Sequence, residues 1–376
     1  MHKDWIRTTG KGAASVAVSA DGRRILAGTL DKQVRCFDRD GQTLWSAKVG
    51  NQAWRVGIAA GGEVAVVGTG STRPWDLKGR GVCCFDQKGT LRWEHPLKAS
   101  VWGLALAGDG RTLAVGTDRR EALLLNDGGT LLWRQAMTGI GWRAWVWATA
   151  LSADGSTIAI GAANGQTQVL DRGGTLLQQH QAGADVFTVA LSAEGQTIAA
   201  GSGDQHVYLL DRSSGLLWHE ALADKVWAVA LSADGQNVIA GAGEKESHVH
   251  AFGRGGQRRW KRHVAGSVSY LATSGKSEVT VVGTRTGHIH FFDDRGDPIY
   301  RAEAEAPIRD VAISQDGQLA AAIAEDGSLY GFRLPPQVEA PGRPPSPRAV
   351  PQIITIIGDG NIIGDYSVSQ VVKKAE

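Results

Sequence analysis

The chain has 376 residues, 42% of them hydrophobic, and its 40 Lys+Arg against 38 Asp+Glu leave a formal net charge of only +2. That is enough apolar material for a large core, and with no basic run to track a phosphate backbone it argues against a nucleic-acid partner. No window approaches the ~18 apolar residues of a membrane span and the N-terminus has no apolar signal segment, so no membrane partner and a cytoplasmic location are expected. Three cysteines, Cys36, Cys83 and Cys84, fit reduced thiols better than a disulfide framework.

Fifty glycines and thirteen tryptophans point to many short strands with aromatic anchors. The first element, Asp4-Trp5-Ile6-Arg7, is a strand with no predecessor. A unit of about forty residues then begins and recurs. It has an apolar run, an Asp-Gly turn (Ala20-Asp21-Gly22), a second run ending in Gly28, a third ending Cys36-Phe37-Asp38, a further turn, and a segment carrying Trp45.

Later copies keep the same order. First turns recur at Gly108-Asp109-Gly110, Ala153-Asp154-Gly155, Ala193-Glu194-Gly195, Ala233-Asp234-Gly235 and Gln315-Asp316-Gly317, each read as a two-residue hairpin with positive φ angles. Second strands end at Gly68, Gly116, Gly161, Gly201, Gly241 and Gly283, with Ala322 in the eighth copy. Outer anchors follow at Trp93, Trp133, Trp218 and Trp260, with Gln178 and Tyr300 in two copies.

First strands begin near residues 16, 53, 101, 146, 186, 226, 267 and 308, eight in all, but only seven copies have a fourth strand. Segment 4–9, carrying Trp5, therefore supplies the missing one, which closes a ring and leaves no open edge. The expected fold is all-β: an eight-bladed β-propeller over 1–334, closed by the N-terminal strand, then a Pro-rich linker (335–350) and a short β-prone tail (351–376).

The repeats resemble the WD-repeat proteins and the quinoprotein-like propellers with a tryptophan-docking motif, and the D-x-x-G-x-x-x-W segments favour the second group. The resemblance covers residues 1–334. It is specific for fold and says little about function.

In an antiparallel meander the first-to-second and third-to-fourth turns share one face, so insertions 69–81 and 136–145 fall together on the other, with Trp75, Trp142 and Trp145. First strands also start there, and their second residue reads Trp54, Trp102, Trp147, Phe187 and Trp227 in five consecutive blades, against Ser15, Ser269 and Arg309 in the rest. Two readings stand open: inter-blade packing, or an aromatic-rimmed site for a ligand or peptide. Polar candidates beside it are Arg55, Arg143, Asp185, Lys225 and Arg309.

The resemblance raises a quinone-dependent dehydrogenase with a bridge between Cys83 and Cys84. Consecutive strand residues point to opposite faces, so the bridge is not expected and no cofactor is assigned. His206, His248 and His288 repeat one position in successive blades, too far apart for one ion, and no metal is assigned.

In the tail, Ile356-Ile357-Gly358-Asp359-Gly360-Asn361 is echoed by Ile362-Ile363-Gly364-Asp365-Tyr366-Ser367. It is similar to the amyloid-forming motifs of the RIP homotypic type and their bacterial counterparts, which link receptors to effectors in conflict systems. Ile356, Ile357, Asn361, Ile362 and Ile363 are the candidate pairing residues, with homotypic pairing or docking on one partner both open. The expectation is a non-catalytic scaffold or sensor that binds a protein or peptide on its aromatic face and signals through the tail. The alternatives are the dehydrogenase and a purely structural hub.

Overall fold

The computed structural model describes residues 3–71, 73, 75–137, 145–243 and 245–335. These form thirty-two strands arranged as eight four-stranded antiparallel sheets, the eight blades of a propeller. The linker beyond 335 and the tail lie outside the described residues.

Closure is as the strand count requires. The segment Lys3–Thr8 pairs antiparallel with Ser328–Arg333, placing Trp5 opposite Gly331, and Thr9 donates through both its N–H and its hydroxyl to the Gly327 carbonyl at 2.8 Å. The eighth sheet is thus built from both ends of the propeller.

Adjacent blades share apolar clusters, and at six of the eight junctions a tryptophan of the fourth strand also docks on the next blade. In each D-x-x-G turn the Asp or Asn oxygen accepts backbone N–H groups two and four residues on, as Asp86 does from Lys88 (2.8 Å) and Thr90 (2.9 Å) and Asp293 from Arg295 (2.9 Å) and Asp297 (2.8 Å). The glycine then takes a left-handed φ, and the tryptophan of the preceding blade lies flat on it. A β-carbon at Gly89 would stand 2.6 Å from Trp45, and one at Gly296 2.6 Å from Trp260. Indole N–H groups finish the dock: Trp5 donates to the Arg39 carbonyl at 3.1 Å, Trp93 to Asp127 at 2.7 Å and Trp218 to Arg254 at 2.9 Å. Trp45 is the exception: its indole N–H has no partner, and the equivalent carbonyl, Gln87, accepts from the Arg24 guanidinium at 2.7 Å.

Two expectations change. The first-to-second turns are not two-residue hairpins with both residues left-handed; only the glycine is. Gly22 N–H donates to the Ser19 carbonyl at 3.0 Å, while Asp21 accepts from the Ser19 hydroxyl (2.6 Å) and Arg23 N–H (3.1 Å), which leaves Asp21 in ordinary right-handed space. In the last blade the register places Ile323, not Ala322, where other blades have glycine, since Ile323 faces Asp310 as Gly283 faces Tyr270. Elsewhere that glycine admits a bulky residue of the next blade, such as Val101 over Gly68. Here the sizes invert, and Ile323 shares its apolar cluster with the small Ala13.

The first-to-second turns also bond in a circle. Backbone N–H groups of Ala60, Gly108, Ala153, Ala193, Ala233, Gly275 and Gln315 each donate to the next blade's turn, Gln315 returns to Ala20, and Asp21 closes onto Ala60, all at 2.7–3.3 Å. The first-to-second turns are therefore joined around the axis by a ring of hydrogen-bonded backbone.

Candidate binding face

The first strands line the axis, each beside the first strands of its neighbours. Every one carries a bulge near its start: Val101 pairs with Thr117 and Gly103 with Gly116, leaving Trp102 unpaired between them. The same break leaves Trp54, Trp147, Phe187, Trp227, Ser269 and Arg309 unpaired. In blade one the bulged residue is Ala14 rather than Ser15, because Ala13 pairs with Thr29 and Ser15 with Gly28. A bulge shifts the alternation by one, which a reading of strict period two does not register.

The bulged aromatics divide into two groups. Trp54, Trp102 and Trp147 are buried, at 3%, 3% and 6% exposure, and form one cluster with Ala163 against which Trp145 and Leu30 pack. Ring centroids are 4.7 Å apart for Trp54 and Trp102 and 5.2 Å for Trp102 and Trp147, and Trp145 stacks on Trp102 at 5.8 Å. The indole N–H groups of Trp102 and Trp147 find no acceptor among the described residues. Phe187 and Trp227 form a separate half-buried stack at 4.3 Å, with the Lys225 ammonium 5.8 Å from the Trp227 ring.

Trp75 is not part of either group. The buried Arg80 guanidinium donates to the Asp76 and Arg73 carbonyls at 2.6 Å and pins the insertion, leaving Trp75 73% exposed. Trp142 and Arg143 lie outside the described residues.

Beneath the bulges, the next residue of each first strand reads Ser15, Arg55, Gly103, Ala148, Thr188, Ala228, Tyr270 and Asp310, small in blades three to six and mostly large and polar in the others. Arg55 donates from Nε to the Trp102 carbonyl (2.7 Å) and from Nη1 to the Trp54 carbonyl (2.9 Å). It is a brace under the aromatic cluster rather than a group presented to a ligand, and burial lowers its pKa against the attraction of Asp310. Burial also raises the Asp310 carboxyl to about 6, against N–H donation from Val16 at 3.0 Å, the charge of Arg55 and the Ser15 hydroxyl at 2.9 Å.

Across the mouth a cleft of about 540 Å³ is lined by Tyr270, Arg285, Thr286, Pro307, Ile308, Arg309 and Glu325. Arg309 pairs with Glu325 at 2.5 Å. Of these, the sequence singled out only Arg309. The signal for Tyr270 and Asp310 was the column one residue beyond the bulge, where bulk replaces Gly or Ala.

Cys83 and Cys84 enter different apolar clusters, and burial pushes their thiols up to about 12 and about 11. Among the described residues no group of three His, Cys, Asp or Glu is arranged to hold a metal ion. His250 is instead 2.9 Å from Glu246, which also pairs with Lys261 at 2.9 Å, and burial lowers it to about 4.

Residues 5–38 match the model described as "WD domain, G-beta repeat". Among solved structures, the computationally designed Ika8 protein shares 17% identity with a TM-score of 0.72, over 87% of this chain and 98% of its own. Sqt1 of Chaetomium thermophilum, bound to the N-terminus of the ribosomal protein L10, shares 12% identity with a TM-score of 0.72, over 86% of this chain and 97% of its own. At such identities the likeness is one of fold. No curated protein matches the chain by sequence. A PQQ-type repeat model, described as "Outer membrane protein assembly factor BamB", matches residues 30–120 and 78–243, together more than half of the sequence. The chain belongs to that PQQ-type propeller family.

Proposed function

We propose that the protein is a non-catalytic scaffold or sensor of the cytoplasm whose insertion face binds a protein or peptide, and whose residues 351–376 couple that event to a signalling or defence component. The observation that carries the reading is the asymmetry of the two ends. The turn face is ringed by bonded backbone, while the insertion face offers the half-buried Phe187–Trp227 stack, the flanking Lys225 and the Tyr270–Arg309–Glu325 cleft. The similar fold of Sqt1 holding a ribosomal-protein N-terminus supports a peptide as the kind of ligand.

The buried Trp54–Trp102–Trp147 cluster serves as the rigid floor of this face, since truncating it opens a cavity. Membership of a PQQ-type family favours a quinone-dependent enzyme as the second reading. The residues fit that cofactor poorly: Cys83 and Cys84 point into separate clusters, and the channel acid Asp310 is engaged by Ser15, Val16 and Val311. No step is assigned through it.

The test compares proteins retained by the full chain, by Phe187→Ala/Trp227→Ala, and by a turn-face control, Arg23→Glu. The reading predicts a partner kept by wild type and control and lost by the double variant at unchanged melting temperature. Retention of the same set by all three would refute it.

A further inference from the structure

A larger cleft, about 800 Å³, opens on the insertion face where blades two, three and four meet, away from the channel mouth. Its cations come from three separate elements: Lys98 on the connection into blade three, Arg119 and Arg120 on the hairpin between that blade's second and third strands, and Arg134 on its outer strand. Trp145, half-buried and stacked on Trp102, forms one wall.

The acids of the cleft are already committed. Asp118 accepts the Ser100 N–H at 2.9 Å and lies 3.7 Å from the Arg80 guanidinium, whose side chain is 2% exposed, and Glu121 takes Arg134 at 3.4 Å. Lys98 and Arg119 are exposed and make no ion pair among the described residues. The surrounding loops reinforce this sign. On the insertion face the connections of blades one to three add Lys11, Lys32, Arg73 and Lys78 against Asp31 and Asp76, whereas those of blades four to eight carry Asp185, Asp204, Asp224, Glu246, Glu305, Glu325 and Asp326 against Lys225, Lys245 and Arg285. A chain close to neutral overall therefore presents a positive sector beside a negative one.

We infer that this cleft receives an acidic, extended peptide segment of a protein partner, with an apolar side chain of that segment against Trp145. Cations set on three elements around so wide an opening match several carboxylates along a chain; a single phosphate requires donors that converge. The inference rests on the insertion face being the binding face and names the partner's chemistry.

The probe is a fluorescein-labelled peptide of alternating Asp and Glu with one central Leu, titrated against the full chain by anisotropy beside the same peptide with Lys for every acid. The acidic peptide should bind, weaken as salt rises, and lose about tenfold in affinity with Lys98→Glu/Arg119→Glu at unchanged melting temperature. Equal binding of the basic peptide, indifference to the charge reversal, or displacement by inorganic phosphate at matched ionic strength would overturn the assignment. The two readings fail separately: a partner lost by Phe187→Ala/Trp227→Ala yet kept by the charge-reversed protein leaves the binding face standing and removes only the acidic segment.

Discussion

Replacing Gly296 by alanine places a methyl group 2.6 Å from Trp260, on a backbone whose φ is +79°, beside an indole that donates to the Asp294 carbonyl at 3.1 Å. Two costs combine. Left-handed backbone costs an L-residue about 1–2 kcal/mol. Forcing a buried ring off its seat costs about 1–3 kcal/mol more, against a gain of about 0.5 kcal/mol from the stiffer unfolded chain. The expected loss is about 2–4 kcal/mol. Gly215 is the internal control: its φ is +86°, but the preceding blade offers Gln178, and a β-carbon meets only the end of that flexible side chain at 2.8 Å. Gly215→Ala should cost only the backbone term, about 1 kcal/mol. Denaturant midpoints at constant slope read the difference. Equal losses at the two sites would refute ring-on-glycine docking as a stabilising part of the blade junctions.

Other outcomes follow from the same geometry. Deleting residues 1–8 removes the fourth strand of the last blade and the Trp5 dock, so it should cost several kcal/mol, more than the ~1 kcal/mol of a typical substitution; an unchanged melting temperature would contradict the closure. Burial lowers His250 and His290 to about 4 and lowers His180 as well, so between pH 6.5 and 4 these groups make the unfolded chain bind more protons and stability falls on acidification; Asp310, raised to about 6, and Asp118, also raised by burial, work in the opposite sense. His290→Phe, which keeps the stack on Phe292, should flatten the fall in denaturant midpoint between pH 6.5 and 4, and an identical fall would count against this account. A synthetic 351–376 peptide is expected to form β-rich, concentration-dependent assemblies by circular dichroism and sedimentation, abolished by Ile357→Asp or Ile363→Asp. A peptide that stays monomeric at high concentration would leave only a docking strand.

The architecture was legible because each blade repeats residues with a single local job. Asp38 and its counterparts cap a turn, the glycine three residues on admits a ring, and in most junctions the tryptophan of the blade before fills that place, which marks the repeat; eight first strands against seven fourth strands then set the number of blades. The orphan strand around Trp5 was legible by subtraction. The site was less so. The bulge in blade one displaced the reading by one residue, putting Ser15 among the bulged residues when it belongs with Tyr270 and Asp310 in the next column, which the reading did not examine. Nor does the spacing of Trp54, Trp102 and Trp147 distinguish a rim from a floor. Their burial depends on Trp145 folding over Trp102, a contact between distant segments of chain. The cleft around Lys98, Arg119 and Arg134 arises from three elements that only the closed ring brings together.

Backbone amide exchange of the full chain, alone and with a partner retained as described, asks directly which end of the propeller is the binding end. The account predicts slowed exchange in the insertion-face segments 182–187, 222–227 and 304–309 and none in the first-to-second turns at 20–22, 153–155 and 315–317. Protection confined to those turns, with the insertion face unchanged, would contradict it.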